Sequence, residues 1–269
     1  MTASPDIYDV HNPDAVREAV RSRYQAIAES GECCGPEGCG CGCSGQASTL
    51  DQLGYGAAEQ AAVPEGADLG LGCGNPVSRA EPQPGEVVLD LGAGAGVDCF
   101  VAARRVGDGG RAIGVDMTPA MLARARANAA KAGVANVEFR LGEIEHLPVA
   151  DASVDLVVSN CVINLSPDKP RVFREAHRVL RPGGRLVVSD LVLERPLAPA
   201  LRARVDLLVG CVAGASLEAD YLEAARAAGF RRLEVLDRRR YADPAAATDE
   251  AFREGLEAVR SITLRAWKE

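Results

Sequence analysis

From Val87 onward short apolar runs alternate with segments of helical periodicity, and this alternation restricts the fold more than any other feature of the chain. The runs VVLDL (87–91), RAIGVD (111–116), VEFRLG (137–142), VDLVVSN (154–160) and GRLVVSDLV (184–192) read as buried parallel strands. Helices fill the intervals. Thr118 is placed to cap one of them, with Pro119 in its first turn, Met121, Leu122 and Ala125 facing inward and Gly133 as its stop. Another starts at Pro170, buries Val172, Phe173, Ala176, Val179 and Leu180, and ends at Arg181-Pro182-Gly183-Gly184. Strand and helix in strict alternation predict a doubly wound α/β sheet.

The flanks have a different texture. Between Pro13 and Ser30 the residues Val16, Val20, Tyr24 and Ile27 recur at helical spacing, and Pro13 suits a first turn. The following GECCGPEGCGCGCSGQAS has almost no apolar side chains, so it is a loop rather than core. VPEGADLGLGCGNPVSRAEPQPGE is a second loop leading into the first strand. Beyond the last parallel strand come helical patterns near 199–213 and 216–228, a strand-like RRLEVLD (231–237), a helix near 247–260 and a strand-like SITLRAW (261–267). The expected organisation is an N-terminal helix with Cys/Gly-rich loops (1–76), a core (77–197) and a smaller C-terminal α+β region (198–269). Internal repeats are absent.

Composition removes several functions. At 269 residues, 47% of them hydrophobic, the chain can bury a full core without a metal or a disulfide. With 30 Lys+Arg against 38 Asp+Glu, a net charge of -8 and no dense basic run, no nucleic-acid partner is expected. No apolar run approaches the ~20 residues of a membrane span. The opening MTASPDIYDV lacks the features of a signal peptide, so a cytoplasmic protein with no membrane partner is expected. In that reducing setting nine cysteines are poor staples, and the odd number points to thiol or soft-metal chemistry.

Residues 87–96 end a strand and open a helix, with glycines at 92, 94 and 96. Glycine belongs there because the turn is tight and a ligand must touch bare backbone. The second strand ends in Asp116, a carboxylate suited to ribose hydroxyls whether the ligand is a mononucleoside or a dinucleotide. The Gly-x-Gly-x-Gly spacing, in place of Gly-x-Gly-x-x-Gly, argues against a bound pyrophosphate.

DLGAGAG, GVDMTPAML, RLGEIEHLP and LRPGGRLVVSD resemble, in order, the motifs of class I S-adenosylmethionine-dependent methyltransferases over residues 87–194. The resemblance implies a Rossmann-like sheet with S-adenosylmethionine as cofactor. It implies binding roles for Asp90, Gly92, Gly94 and Gly96, for Asp116 and Met117, for Gly142, Glu143 and Ile144, and for Asn160 at the end of the fourth strand.

Cysteines sharpen the resemblance. Cys99, among apolar residues after the glycine loop, fits inert packing. Cys73 in GLGCGNP and Cys161 in SNCVINLSPDK lie at loops instead, and the carboxyl ends of the strands face the ligand crevice. With only His11, His146 and His177 in the chain, no histidine metal site is apparent. GLGCGNP, SNCVINLSPDK and GCVAGA together resemble arsenite S-adenosylmethionine methyltransferases, from about Cys33 to Phe230. The resemblance implies that Cys33, Cys73, Cys161 and Cys211 bind trivalent arsenic and are the catalytic residues, with Cys161 and Cys211 the pair needed for every methylation. It also implies detoxification of arsenite in the cytoplasm and a thiol reductant such as thioredoxin or glutathione.

The chemistry suits the residue type. Soft trivalent arsenic binds thiolates in a pyramid and keeps a lone pair that can attack a sulfonium methyl, so no general base is needed. Cys34, Cys39, Cys41 and Cys43 are expected to be accessory, and they lack the paired C-x-x-C spacing of a zinc knuckle. Two other functions remain open at this point. One is a non-catalytic cysteine-rich arsenic or metal binder on the same fold. The other is a methyltransferase for a small organic acceptor, which would leave Cys73, Cys161 and Cys211 without a purpose.

Overall fold

A computed structural model describes residues 8–31, 49–241 and 250–269. Helix α1 (Pro13–Ser30) comes first, followed by the short helices α2 (Thr49–Gln52), α3 (Ala57–Gln60) and α4 (Pro76–Ala80). The core alternates β1 (Val87–Leu91), α5 (Val97–Val106), β2 (Arg111–Asp116), α6 (Pro119–Ala132), β3 (Val137–Leu141), β4 (Val154–Asn160), α7 (Lys169–Val179) and β5 (Leu180–Leu193), with a 3-10 turn at Ile163–Leu165. The remainder is α8 (Pro199–Arg202), α9 (Val205–Val209), β6 (Ser216–Leu217), α10 (Glu218–Ala227), β7 (Arg231–Arg240), α11 (Glu250–Ala258) and β8 (Val259–Trp267).

All strands join one sheet in the order β3-β2-β1-β4-β5-β8-β7, with β6 bridging to the end of β5. β1 to β5 pair in parallel, and β8 runs antiparallel to both β5 and β7. The period-2 alternation of side chains divides the core between the two faces of the sheet. Val88, Leu156, Val158 and Val187 pack with Phe100, Val101 and Leu122 on one face. Leu89, Leu91, Val157 and Val188 pack with Val172, Phe173 and Phe230 on the other. A third cluster, beyond the strand ends, joins Val16 and Val20 of α1 to Leu207 and Leu208 of α9, and contains Cys73, Cys161 and Cys211.

The expected doubly wound α/β sheet is therefore present, and three local details differ. Arg181-Pro182-Gly183-Gly184 does not separate helix from strand. β5 already starts at Leu180, and the four residues form a bulge between the pairs Val154↔Leu180 and Leu156↔Arg185, with Gly183 at φ 79. Thr118 occupies the N-cap of α6 but makes no side-chain cap; its own N–H donates to Asp116 Oδ1 at 2.8 Å. The helical pattern near 199–213 splits into α8 and α9 and ends at Val209, two residues before Cys211, whose φ of 63 lies in the left-handed region. Among the described residues no helix is long and apolar enough to cross a membrane.

The turn after Cys211 is packed tightly on the 3-10 turn after β4. A Cβ added at Gly214 would stand 2.1 Å from the Asn164 carbonyl oxygen, a backbone atom that cannot swing aside. Gly214→Ala is expected to cost at least about 1–3 kcal/mol, the scale of core overpacking. In urea unfolding the midpoint should fall with an unchanged slope.

Candidate active site

The strand order reverses between β1 and β4, and in open α/β sheets the ligand crevice lies at such a switch point, beyond the carboxyl ends of the strands. A cleft with about 1380 Å³ of empty space, counted out into the open solvent at its mouth, occupies that place, and Arg17, Val20 and Tyr24 of α1 line it. One end is lined by Asp90, Gly92, Gly94, Asp116, Met117, Gly142 and Ile144, and the other by Cys161, Cys211, Leu165 and Tyr241.

At the first end the glycines have separate tasks. A Cβ on Gly92 would stand 2.5 Å from the methyls of Val162, and one on Gly96 would stand 2.7 Å from Phe100. Gly96 is thus a packing glycine at the start of α5 and does not line the cleft. Gly94, at φ 53, has no atom within 4 Å of the added Cβ, so the space beside its bare backbone is left to a ligand. Its N–H donates to Asp116 Oδ2 at 2.9 Å, which with the Thr118 N–H fixes the carboxylate at the lip of β2. Burial raises Asp116 above its ordinary range, opposed by those two donors.

Two further buried acids, Asp90 and Asp98, line the same end, and among the described residues neither has an ion-pair partner. Burial, and then Asp98, lifts Asp90 well above the usual carboxylate range. Burial lifts Asp98 to about 6 despite hydrogen bonds from Tyr55 and Asn160. Buried acids without a cation suit a positively charged ligand, which would supply the missing counter-charge.

At the second end three free thiols meet, each at most 7% exposed. The Cys161 thiol lies near enough to those of Cys73 and Cys211 for each to act on its ionisation. The Cys211 Sγ also donates to the Cys161 carbonyl at 2.8 Å, and the Cys73 Sγ to the Ser189 carbonyl at 3.5 Å. Burial raises Cys73, and raises Cys161 strongly, so both are neutral thiols. The Cys73 S–H accordingly takes a backbone acceptor. Among the described residues no group of three His, Cys, Asp or Glu side chains is arranged to hold a metal ion, so the thiols do not form a closed cage. Cys161 and Cys211 both have left-handed backbones, at φ 62 and 63, a conformation that costs about 1–2 kcal/mol outside glycine.

Other expected site residues fall differently. Glu143 turns out of the cleft to meet Arg17 at 3.5 Å and Arg21 at 3.8 Å, tying α1 to the turn after β3. Asn160 borders the cleft, but its amide is bonded to protein groups. Cys99 is fully buried on α5 and reaches Asp90 at 3.4 Å. Cys33, with Cys34, Cys39, Cys41 and Cys43, lies outside the described residues.

Tyr24, Asp98 and Lys169 are not among the site residues expected from sequence. Tyr24 reads as part of an apolar stripe, yet it lines the cleft, its hydroxyl donates to the Val209 carbonyl at 3.4 Å, and Cys211, Cys161 and Asp116 all act on its ionisation. Asp98 had a usable signal, as a carboxylate on the buried face of α5 among Cys99, Phe100 and Val101. Lys169 opens α7 beside Asp190 and Cys211, and burial lowers it to about 8.

A family model for a methyltransferase domain matches residues 82–229. The chain is 54% identical over 233 residues to the arsenite methyltransferase of Halobacterium salinarum, covering 83% of this chain and 59% of that protein. It is 46% identical over 190 residues to the arsenite methyltransferase of Aquipseudomonas alcaligenes, covering 67% of this chain and 54% of that one. The crystal structure of an arsenic(III) S-adenosylmethionine methyltransferase from Chlamydomonas reinhardtii matches with a TM-score of 0.69 at 41% identity, over 78% of this chain and 73% of that one. The chain thus spans just over half the length of the two curated relatives.

Sheet order and glycine cleft define a class I methyltransferase fold. Within that class, the chain belongs to the arsenite methyltransferase family.

Asp190, behind the thiols on β5, gives a pH test. Burial lifts it to about 6 from 3.8, opposed by hydrogen bonds from Leu191, Tyr221 and Asn164 and by Lys169. Across this window the folded protein holds a proton that the unfolded chain has released, so this group's contribution to stability falls as pH rises. Asp190→Asn should gain stability relative to wild type between about pH 4 and 6 and hold that difference at higher pH, as read by urea unfolding at each pH.

Proposed function

We propose that the protein transfers methyl groups from S-adenosylmethionine to trivalent arsenic held on its own thiols, converting arsenite to methylated arsenicals. The observation that carries this is that Cys161 and Cys211 line one end of a cleft, with Cys73 buried in the same cluster behind them, while the other end presents the glycine loop and buried acids. Residues 77–197 form the cofactor-binding core in this proposal, and 1–76 and 198–269 bring thiols to it, Cys33 among them.

The cofactor end fits its ligand by charge and shape. Gly94 leaves room for close approach, Asp116 offers oxygens to ribose hydroxyls, and Asp90 and Asp98 balance positive charge. Met117, Gly142 and Ile144 border the same end. When bound, S-adenosylmethionine supplies a methyl group activated by a sulfonium, whose sulfur keeps the electron pair of the bond that breaks.

Neutral thiols are the right form to meet arsenite. Three thiols and As(OH)₃ give As(SR)₃ and three waters, each thiol proton leaving with an arsenic hydroxyl, so no base is consumed. The pyramidal product keeps its lone pair. The dry pocket around Leu165, Leu191 and Val212 excludes water from that lone pair. Forming the As–C bond takes arsenic from the trivalent to the pentavalent state, so a second transfer requires two electrons. A thiol reductant of the thioredoxin or glutathione kind supplies them, and the cytoplasm is where such thiols stay reduced.

Cys161→Ser and Cys211→Ser should lose methylation of arsenite and methylarsenite alike, because each removes half of the central chelate. Cys73→Ser should lose arsenite but retain methylarsenite, whose methyl already occupies one of three coordination positions. Product speciation with adenosylhomocysteine release reads this directly. Wild-type rates on methylarsenite for Cys161→Ser would refute the site, and a stoichiometric arsenic complex without adenosylhomocysteine would mark a binder. Asp116→Ala should weaken cofactor binding by about tenfold or more in calorimetry, the scale of losing a charge-assisted hydrogen bond.

A further inference from the structure

Asn160 sits between the two ends of the cleft, and its side chain is committed to the protein. Its Oδ1 accepts the Cys73 N–H at 3.0 Å. Its Nδ2 donates to the Gly74 carbonyl at 2.8 Å and reaches Tyr55 Oη and Asp98 Oδ2, each at 3.2 Å. Tyr55 donates to the other oxygen of Asp98 at 2.7 Å. One amide therefore holds the Cys73 N–H and the Gly74 carbonyl, the two ends of the Cys73–Gly74 segment, while it faces an acid of the cofactor end. The loop is fitted to it: at Gly72, φ 109, an added Cβ would stand 3.0 Å from Asn160 Nδ2 and 3.1 Å from Oδ1. Ser261 Oγ donates to the Cys73 carbonyl at 3.2 Å and steadies the loop from β8.

Asn160 also immediately precedes Cys161. The side chain that fixes Cys73 thus springs from the strand end that presents Cys161, and the spacing of the two thiols depends on this amide. With Oδ1 and both N–H groups engaged, little hydrogen-bonding capacity remains for a ligand.

Building on the proposed function, we infer that Asn160 is a positioning residue for the arsenic ligand set, holding Cys73 against Cys161, and not a contact for the cofactor. Three-thiolate binding of arsenite needs this spacing. Two-thiolate binding of methylarsenite by Cys161 and Cys211 does not.

The test is Asn160→Ala in the full chain. Three quantities are measured: cofactor affinity by calorimetry, the alkylation rate of each cysteine by iodoacetamide with mass-spectrometric readout, and the affinities for arsenite and methylarsenite. Expected results are cofactor affinity within about twofold of wild type, Cys73 alkylated about tenfold faster, and arsenite affinity down about tenfold with methylarsenite little changed, since tenfold is the scale of losing a buried hydrogen bond. Cys99 should stay protected, showing that the core is intact. Gly72→Ala, which presses on the same amide from the loop side, should expose Cys73 in the same way. Loss of cofactor binding with Cys73 still protected would overturn the inference, as would equal losses for the two arsenicals. Wild-type protein that binds neither arsenical would overturn the proposed function and the arsenic part of the inference, and is told apart because alkylation and calorimetry need no arsenic.

Discussion

The parallel pairing of β1 with β4, from Val88↔Leu156 to Leu91↔Ser159, is the constraint on which the site depends. β1 ends in the glycine loop and β4 in Asn160, with Cys161 next in the chain, so this one register places the glycine loop beside the thiol end of the cleft. A slip of one residue would invert every side chain of a strand between the two faces. Val157 lies in one core cluster and Val158 in the other, all buried, so such a slip would disturb both cores at once. The geometry of the cleft is therefore secured by the packing of core residues on both faces of the sheet.

Desolvation governs the chemistry of the cleft. It is the largest influence on Asp90, Asp98, Asp116, Cys73 and Cys161, and in each case it favours the neutral form. A ligand that brought a cation to the acids, or a partner that removed the thiol protons, would relieve a cost that folding has already incurred.

Helix α1 closes this arrangement by apolar contact more than by charge. Val16, Val20 and Ile27 are buried, each worth about 1.5–3 kcal/mol, whereas partly exposed pairs such as Arg21 with Glu143 contribute about 0–1 kcal/mol. The ion pairs set the helix in register over the turn after β3, and the apolar stripe holds it there. This is why Glu143 serves the roof rather than the cofactor, and why Tyr24, on the same stripe, reaches the site at all.

What the sequence determined by itself was the local and periodic part. The five parallel strands, the stops at Gly133 and after Ser30, and the glycine loop follow from side-chain period, cap chemistry and backbone freedom, which act over a few residues. The residue types at Cys73, Cys161 and Cys211 were also legible, because soft thiols at loop positions beside a cofactor motif have few other uses. Tertiary structure alone decided how these groups meet. Neither the neutral state of the thiols, nor the left-handed backbones of Cys161 and Cys211, nor the capture of the Asn160 amide by Cys73, 87 residues away in sequence, can be read from local pattern. Those properties depend on which distant atoms share a buried volume, and that is settled only when the sheet, α1 and the turn around Cys211 pack together.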